Sequence, residues 1–313
     1  MIEYNVFYGK YSGFFVFRSK GISLAMNLLG HQGYYWAINV LEPRLIGGVP
    51  FWLTYKKKSL IPSIPYNHGL ASSGPKTIPH GIKISRFLNS LKKWRTNKPY
   101  YAGFLSYLEK RNEHYISQGF NSNYIKETES GIYISGKANL FIIKKYSLNV
   151  IVYFFKDLIS LIFKHPMNKK NIVKKTNIII KKKIYINNEM MYINDLYPKD
   201  MKNYKLISFT LRTFDNVNKA FFGDFICFIS RENNTYIAVS INKNEKIIKP
   251  EKAYSSTGKC KIWKIVDPTS LFYRSNNERV LLFGDNINDV YKLKPKEYYL
   301  KKAREEMGLN NDN

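Results

Sequence analysis

Residues 172–188 read IVKKTNIIIKKKIYINN, two isoleucine-rich runs that alternate with clusters of lysine. The apolar runs require a core to lie against, whereas the lysines require water or an anionic partner. One short stretch must therefore supply both a buried stripe and a cluster of positive charge. The first half has the spacing of a short helix with an apolar stripe, made of Ile172, Val173, Thr176, Ile179 and Ile180.

The second half of the stretch changes from helical spacing to alternation. Ile184 and Ile186 are predicted to face inward and Tyr185 outward, as in a half-buried strand. Asn187-Asn188 is predicted to form the tight turn to a second strand. The stretch therefore predicts a helix, a basic turn and a strand hairpin, in that order.

The net charge points to a polyanionic partner. The chain has 313 residues, with 50 Lys+Arg against 23 Asp+Glu and a formal net charge of +27. A single basic run can be a solvated face, but an excess over the whole chain repels itself unless a polyanion neutralises it. Nucleic acid is the leading candidate, and the 44% hydrophobic content is ample for the cores of two or three compact units.

Periodicity divides the chain into helical and strand-like parts. Residues 1–80 are rich in aromatics and turn signals, which indicates an irregular N-terminal extension. Helical spacing predicts helices in 82–94, 100–116 and 148–163, and the polar residues 117–135 are predicted to be a connection. Beyond Leu206 the chain changes to strand-like runs, namely LISFTLR, DFICFIS, TYIAVSI, KIWKIV and RVLLFG, before a helical tail.

Catalytic, metal and membrane signals are weak. The segment GLASSGPKT at 69–77 resembles a phosphate-binding loop, but Pro75 removes a backbone donor that such a loop needs, so we predict no nucleotide cofactor. The five histidines are scattered, which predicts no metal site, and Cys227 and Cys260 are interpreted as buried thiols. The apolar run at 149–163 is interrupted by charge and is shorter than the roughly 20 residues of a membrane-spanning helix.

Codon bias gives a prediction about location. The sequence favours Lys, Asn, Ile, Tyr and Phe, which AT-rich codons encode, and no import or secretory signal is visible at the N-terminus. This predicts a product made inside an organelle, most simply in the mitochondrion. An AT-rich nuclear genome with a cytosolic product is the alternative.

Three motifs together resemble the universal small-subunit ribosomal protein four family. LKKWRTNKPYYAGFLSYLEKRNEHYI and SGKANLFIIKKYSLNVIVYF are similar to two helical stretches of that family. KKTNIIIKKKIYINNEMM is similar to its RNA-binding module, in which a short helix packs on a twisted hairpin and presents basic residues to RNA phosphates. The resemblance covers about residues 82–207, and it lacks the Arg-Leu-Asp of the family, which is replaced by Tyr146, Ser147 and Leu148.

The resemblance implies an α+β fold with a helical domain, a small helix-hairpin (αL-type) RNA-binding module and a β-rich C-terminal extension. The implied divisions are 1–80, the irregular N-terminal extension; 81–135, the helical rRNA-binding region; 136–207, the helix-hairpin module; and 208–313, the β-rich extension. The implied function is that of a structural constituent of the mitochondrial small ribosomal subunit in the matrix. It would support subunit assembly and translation and would catalyse no reaction.

The implied partners are small-subunit rRNA and neighbouring ribosomal proteins, with mRNA near the entry side and no membrane. An RNA-modifying enzyme of the pseudouridine synthase type, which carries the same small module, is one alternative. A peripheral subunit of an organellar membrane complex, held by anionic lipid, is another. Lysine-rich runs suit contacts with phosphates rather than with bases, and the predicted RNA-binding residues are Lys92, Lys93, Arg95, Lys98, Lys110, Arg111, Lys169, Lys170, Lys174, Lys175, Lys181, Lys182 and Lys183.

Overall fold

The structure is a computed structural model. It describes residues 5–9, 14–19, 21–28, 51–56, 106–111, 113–117, 120–144, 173–198, 201, 203–214, 217–255, 258–268 and 276–309. In these ranges the chain forms seventeen strands, one 3-10 helix and one α-helix. The strands are β1 Asn5–Gly9, β2 Phe14–Ser19, β3 Ile22–Asn27, β4 Phe51–Tyr55, β5 Tyr107–Lys110, β6 Glu113–Ser117, β7 Ser122–Glu127, β8 Gly131–Lys144, β9 Val173–Asn187, β10 Met190–Leu196, β11 Lys205–Phe214, β12 Asn218–Phe222, β13 Phe225–Ser230, β14 Thr235–Ser240, β15 Lys246–Ser255, β16 Gly258–Asp267 and β17 Asn276–Gly284; the 3-10 helix is Ile287–Lys292 and α1 is Lys296–Glu306.

The described strands form two antiparallel sheets. Strands β1 to β4 make a four-stranded sheet in chain order, and the other thirteen strands make one large sheet. The order in the large sheet is β12-β13-β14-β17-β10-β9-β8-β6-β5-β11-β16-β15, with β7 paired to the first half of β8. Its longest ladder joins β8 to β9, so the segment with the isoleucine and lysine runs lies at the centre of the sheet.

The large sheet folds back on itself around one core. The ring of Phe228 on β13 lies 5.5 Å from the ring of Trp263 on β16, although these strands are far apart in sheet order. Asn277 on β17 likewise donates to the backbone carbonyl of Ser208 on β11, at 3.0 Å. The β13–β17 end therefore faces the β11–β16 end, and the four-stranded sheet contributes Phe15, Phe17, Leu24 and Leu53 to the same core.

The other side of the large sheet, which we call the outer side, carries a second and smaller core under α1. Leu300, Ala303 and Met307 pack on Tyr185 and other residues of the central strands. Glu306 at the end of the helix accepts hydrogen bonds from Tyr185, Asn187 and Ser130. The helix thus covers part of the outer side, whereas outward residues of β7, β8 and β9 such as Lys126, Lys137 and Lys181 are exposed.

The predicted α+β fold is wrong, because the described chain is mostly antiparallel sheet. The described part of the helix predicted at 172–180 lies in the 15-residue strand β9, and the described part of the helix predicted at 100–116 forms β5 and β6. Apolar residues at i and i+4 also share one face of a strand, so spacing alone did not distinguish the two. The β-branched run of Ile178, Ile179 and Ile180 favours the extended form, which accommodates branching at Cβ.

Other predictions have mixed outcomes. The β9–β10 hairpin is confirmed, and Ile184 and Ile186 face the main core as predicted. Tyr185 was expected to face solvent, but it is buried under α1. The strand runs beyond residue 206 and the helical tail are confirmed, and the Cys227 thiol is buried, which raises its pKa to about 12.

Two of the predicted helices cannot be compared with the structure, and two segments that were predicted to lack regular structure contain strands. The helices predicted at 82–94 and 148–163 lie outside the described residues. Strands β1 to β4 lie in the region predicted to be irregular, and β7 and the start of β8 lie in the predicted connection 117–135. The domain limits stay predictions, although β8 and β11 run through the boundaries placed after residues 135 and 207.

Position 284 on β17 has room only for glycine, because the ring of a neighbouring side chain packs against its backbone. It pairs in register with Tyr236, whose buried ring occupies the space that a Cβ at Gly284 would need. We expect Gly284→Ala to lower the free energy of unfolding by about 1–3 kcal/mol, the typical effect of overpacking, in a denaturant titration. The double variant Gly284→Ala/Tyr236→Leu replaces the ring by a smaller side chain. Its loss in free energy of unfolding should be less than the sum of the losses in the two single variants, and a strictly additive loss would contradict the contact.

Two ion pairs are buried between the layers of the main core. Lys182 on β9 pairs with its cross-strand partner Asp195 on β10, and both side chains are almost fully buried. The second pair joins Arg279 on β17 to Glu245, with 2.5 Å between Nη2 and Oε1. These pairs place charge inside the core, so each charged group depends on its partner for stability.

Candidate functional site

The open part of the outer side is formed by β7, β8 and β9. In an antiparallel sheet, residues that pair directly across strands point to the same side. Ser122, Lys137 and Lys181 form one such row across the three strands, and Tyr124, Ser135 and Lys183 form the next. Lys126 begins a third row, which continues through Tyr133 to Tyr185 under α1. We call Tyr124, Lys126, Lys137, Lys181 and Lys183 the basic face.

The side chains of the basic face are accessible. Lys126, Lys137 and Lys181 are exposed, Lys183 is partly exposed, and Tyr124 is 57% exposed. Alternate residues of the same strands, such as Ile132 and Ile134, are fully buried in the main core. The alternation of β9 explains why isoleucines and lysines occur together in its sequence, because one side of the strand packs in the core and the other side presents charge.

The positive charge of the basic face is not neutralised within the described part of the chain. No described carboxylate forms an ion pair with its four lysines; the carboxylates of Asp195, Glu245, Glu189 and Glu278 pair with other cations. Lys137 and Lys181 lie directly opposite one another, an arrangement of like charges that destabilises a sheet. An anion bound between them would relieve this repulsion.

Lys182 has a different environment from its two neighbours in sequence. Its side chain points into the main core, where Asp195 also accepts a hydrogen bond from Ser106. Burial lowers the pKa of Lys182, and the charge of Asp195 opposes that change only in part. The structure therefore excludes Lys182 from contact with a ligand, although the sequence placed all three lysines together in a binding site.

The other predicted site residues that the structure describes lie outside the basic face. Lys110 lies with its amine 4.8 Å from the ring centre of Tyr204, and Arg111 is exposed in the turn between β5 and β6. This turn lies by the end of β8, about 24 Å along the strand from Lys137. Lys174 and Lys175 belong to β9, and the other predicted residues lie outside the described ranges, namely Lys92, Lys93, Arg95, Lys98, Lys169 and Lys170.

Three residues of the basic face were missed by the sequence reasoning. Tyr124 and Lys126 lie in the segment predicted to be a polar connection, and Lys137 lies just after it. The signal was the alternation of SNYIKE and GIYISGK, in which Ile125, Ile132 and Ile134 occupy the inward positions. Glycine, serine and asparagine in these runs obscured that alternation.

The described residues hold no group of three or more His, Cys, Asp or Glu side chains with the geometry of a metal site. In the same ranges, neither the 3-10 helix nor α1 has the length and apolar character of a membrane-spanning helix.

Comparison with known proteins gives a likeness in structure alone. No protein-family model matches the sequence, and no curated protein matches it. A mutant heparan sulfate lyase from Pedobacter heparinus is similar, with a TM-score of 0.50 and 11% identity over 90% of this chain and 36% of that chain. Another structure of this lyase has a TM-score of 0.45, with 11% identity over 88% and 36% of the two chains. An α-N-acetylgalactosaminidase from Bifidobacterium bifidum has a TM-score of 0.38, with 6% identity over 96% and 38%.

These findings correct the resemblance to the ribosomal protein family. The helix-hairpin module of that family needs a helix where β9 runs, and the solved structure that this chain resembles with a TM-score of 0.50 is named a heparan sulfate lyase rather than a ribosomal protein. The predicted role in the small ribosomal subunit and in translation is therefore wrong, as is the alternative of a pseudouridine synthase. The predicted partners, namely rRNA, ribosomal proteins and mRNA, are wrong as well, whereas the mitochondrial location stays a prediction.

The chain spans little more than a third of the length of the solved structures that it resembles. At 11% identity, the likeness to the heparan sulfate lyase is a likeness of fold: this chain folds as a large antiparallel β structure of the kind found within that enzyme.

Proposed function

We propose that this chain is a binding module for an anionic polysaccharide, which it contacts through the basic face. The observation that carries the proposal is the set of four lysines on one open side of the sheet with no described carboxylate to pair with them. The net charge of +27 supports the same class of partner, because a polyanion lowers the self-repulsion of the chain.

The chemistry of lysine suits such a ligand. An ammonium group is a compact charge with three rotatable donors, so it can contact sulfate or carboxylate groups without a fixed geometry. Adjacent strands are about 4.8 Å apart, and alternate residues along a strand about 6.8 Å apart, so the lysines form a regular array. A repeating polymer presents charges at regular intervals, and the exposed ring of Tyr124 offers a surface on which a sugar can pack.

The fold supports a carbohydrate in preference to other polyanions. The solved structure with a TM-score of 0.50 is named a heparan sulfate lyase, and heparan sulfate is an anionic polysaccharide. Heparan sulfate is accordingly the first ligand to test.

We predict that replacing Lys137, Lys181 and Lys183 by Gln weakens binding of heparan sulfate roughly ten- to hundredfold. Each exposed contact between a lysine and an anion contributes about 0.5–1 kcal/mol, and about 1.4 kcal/mol corresponds to a factor of ten. Isothermal titration calorimetry at low ionic strength measures the change, and the dependence of binding on salt should become less steep.

The matched control replaces three exposed lysines of β11 and β15, towards one edge of the large sheet, by Gln, namely Lys205, Lys246 and Lys249. Each triple variant lowers the formal net charge of +27 by three, so a difference between them reports position rather than total charge. Equal losses in the two variants would show that binding follows net charge alone, and loss in the control only would place the site elsewhere.

Catalysis is a separate property from binding. The similar structures belong to enzymes, of which this chain spans little more than a third. We propose binding without cleavage for this chain. Incubation with heparan sulfate, followed by measurement of chain length on a sizing column, tests that expectation, and shortening of the polymer would contradict it.

A further inference from the structure

A strip of aromatic side chains crosses the outer side at the end of the sheet remote from the basic face. Phe222 on β12 and Phe225 on β13 pair in register, so their side chains point to the same side. Tyr291 of the 3-10 helix packs edge-on against Phe222, with 5.2 Å between ring centres and 86° between planes. Tyr299 of α1 packs similarly against Phe225, at 5.9 Å and 85°. Tyr298 completes what we call the aromatic strip, 5.2 Å from Tyr299.

Both ends of the strip are open to solvent. Tyr291 is 77% exposed and Tyr298 is 46% exposed, whereas Phe225 in the middle is buried. Edge-to-face packing against the inner rings holds aromatic side chains in fixed orientations at little further cost in entropy. The backbone N–H of Lys294 donates to the Tyr299 hydroxyl, and the Lys294 amine lies 3.9 Å from the centre of the Tyr298 ring.

The strip and the basic face share one side of the sheet. Phe225 and Tyr185 belong to the same core under α1, and the row of Tyr185 continues to Lys126. Four strand spacings separate β13 from β9, which is about 20 Å. Helix α1 extends between the two regions, with Tyr299 near Phe225 and Glu306 bonded to Tyr185. One extended polymer can therefore follow the helix and touch both regions.

We propose that Tyr291 and Tyr298 form a second contact for the same polysaccharide, at which its sugar rings stack. The inference rests on the proposed function. The face of an aromatic ring carries partial negative charge, which attracts the C–H groups on the face of a sugar ring. Tyrosine adds a hydroxyl for hydrogen bonding. The amine of Lys294 lies over one face of the Tyr298 ring, so a sugar would stack on the other face, and the amine suits a polymer that also carries anionic groups. The contact extends the module from a purely ionic surface to one that recognises a sugar.

The test uses heparan sulfate oligosaccharides of two lengths, one too short and one long enough to span about 20 Å. For the long oligosaccharide, the double variant Tyr291→Ala/Tyr298→Ala should bind about tenfold more weakly than wild type. The salt dependence of binding should be unchanged, because the lost contacts are uncharged. The double variant Tyr291→Phe/Tyr298→Phe keeps the rings and should retain most of the affinity.

Unchanged binding of the long oligosaccharide by the alanine variant would overturn the inference. So would an equal loss for both lengths, since the short oligosaccharide cannot occupy both regions. If the lysine variant loses binding while the tyrosine variant does not, the proposed function stands and only this inference fails. If wild type sediments as a dimer and the alanine variant as a monomer, the strip is a contact between copies of the chain, and the inference is likewise overturned.

Discussion

Replacement of Asp195 by Ala is expected to lower the free energy of unfolding by about 3–5 kcal/mol, because it removes the carboxylate that forms an ion pair with the buried Lys182. The ammonium group of Lys182 is almost fully buried and makes its ion pair with Asp195. The Ser106 hydroxyl, which donates to the same carboxylate, also loses its acceptor. Urea titration followed by circular dichroism measures the change.

The matched control removes both charges at once. The double variant Lys182→Met/Asp195→Leu replaces the ion pair by apolar side chains of similar volume, and we expect its stability to lie close to that of wild type or above it. A loss of less than about 1 kcal/mol in Asp195→Ala would indicate that Lys182 reaches water, contrary to the inward side of β9 described above.

Replacement of Arg279 by Met is the second change with a large expected effect, about 3–5 kcal/mol of destabilisation at neutral pH. The guanidinium group bonds to Glu245 at 2.5 Å and to the Ser208 hydroxyl at 3.1 Å, and it lies 5.5 Å from the centre of the Phe209 ring. Methionine fills part of the volume but leaves the carboxylate of Glu245 buried and unpaired.

The effect of pH distinguishes this pair from a simple packing defect. Burial alone would raise the pKa of Glu245, but the charge of Arg279 and a hydrogen bond from the Asn242 backbone outweigh burial and lower it below the ordinary 4.5. In wild type, the pair therefore contributes stability that is fully present above pH 4.5 and is lost as the pH falls through the lowered pKa.

In Arg279→Met the remaining effect of burial favours the neutral carboxyl group, so the pKa of Glu245 should lie above its ordinary value. The deficit of the variant should then be largest at neutral pH and should shrink as the pH falls. Unfolding titrations of both proteins over a pH series measure this difference. A deficit that does not change with pH would show that lost packing, rather than the unpaired carboxylate, causes the destabilisation.

The sequence was most informative where strand-like runs are bounded by turns. The runs that became β11, β13, β14, β16 and β17 contain β-branched and aromatic residues between polar turns, which leaves little alternative to a strand. The pattern of residues does not predict which of these strands pair with one another in the sheet. A fragment beginning near Ser208 would contain β13, β14, β16, β17 and most of β11, but in the whole chain β17 pairs with β10 and β11 pairs with β5. The fragment alone would leave both of these strands without a partner that they have in the whole chain.

The error at β9 has a definite cause. A run of IIIKKK contains equal numbers of apolar and basic residues, so both a helical stripe and an alternating strand can be drawn through it. In the strand, Ile179 is 47% exposed and Lys182 is buried, which inverts the expectation for each residue type. Burial of Lys182 depends on Asp195, which lies 13 residues further along the chain and comes into register only through the hairpin. The tight turn that suggested a ribosomal RNA-binding module is a feature that any short hairpin can share.

Only part of the basic face could be predicted from the sequence. Lys181 and Lys183 were identified from their charge, and the structure keeps both accessible. Tyr124, Lys126 and Lys137 join them only because β7 and β8 pair in one particular register, and pairing over long distances in sequence is not encoded in local pattern.

Lysine footprinting tests the central claim most directly, because it identifies the contacted side chains without any substitution. Acetylation of the whole protein with and without heparan sulfate, read by mass spectrometry, should show Lys137, Lys181 and Lys183 protected by the polysaccharide. Lys246 and Lys249, exposed on β15, should react equally in both samples, and buried Lys182 should react in neither. Protection of Lys246 and Lys249 with no protection of the basic face would contradict the account.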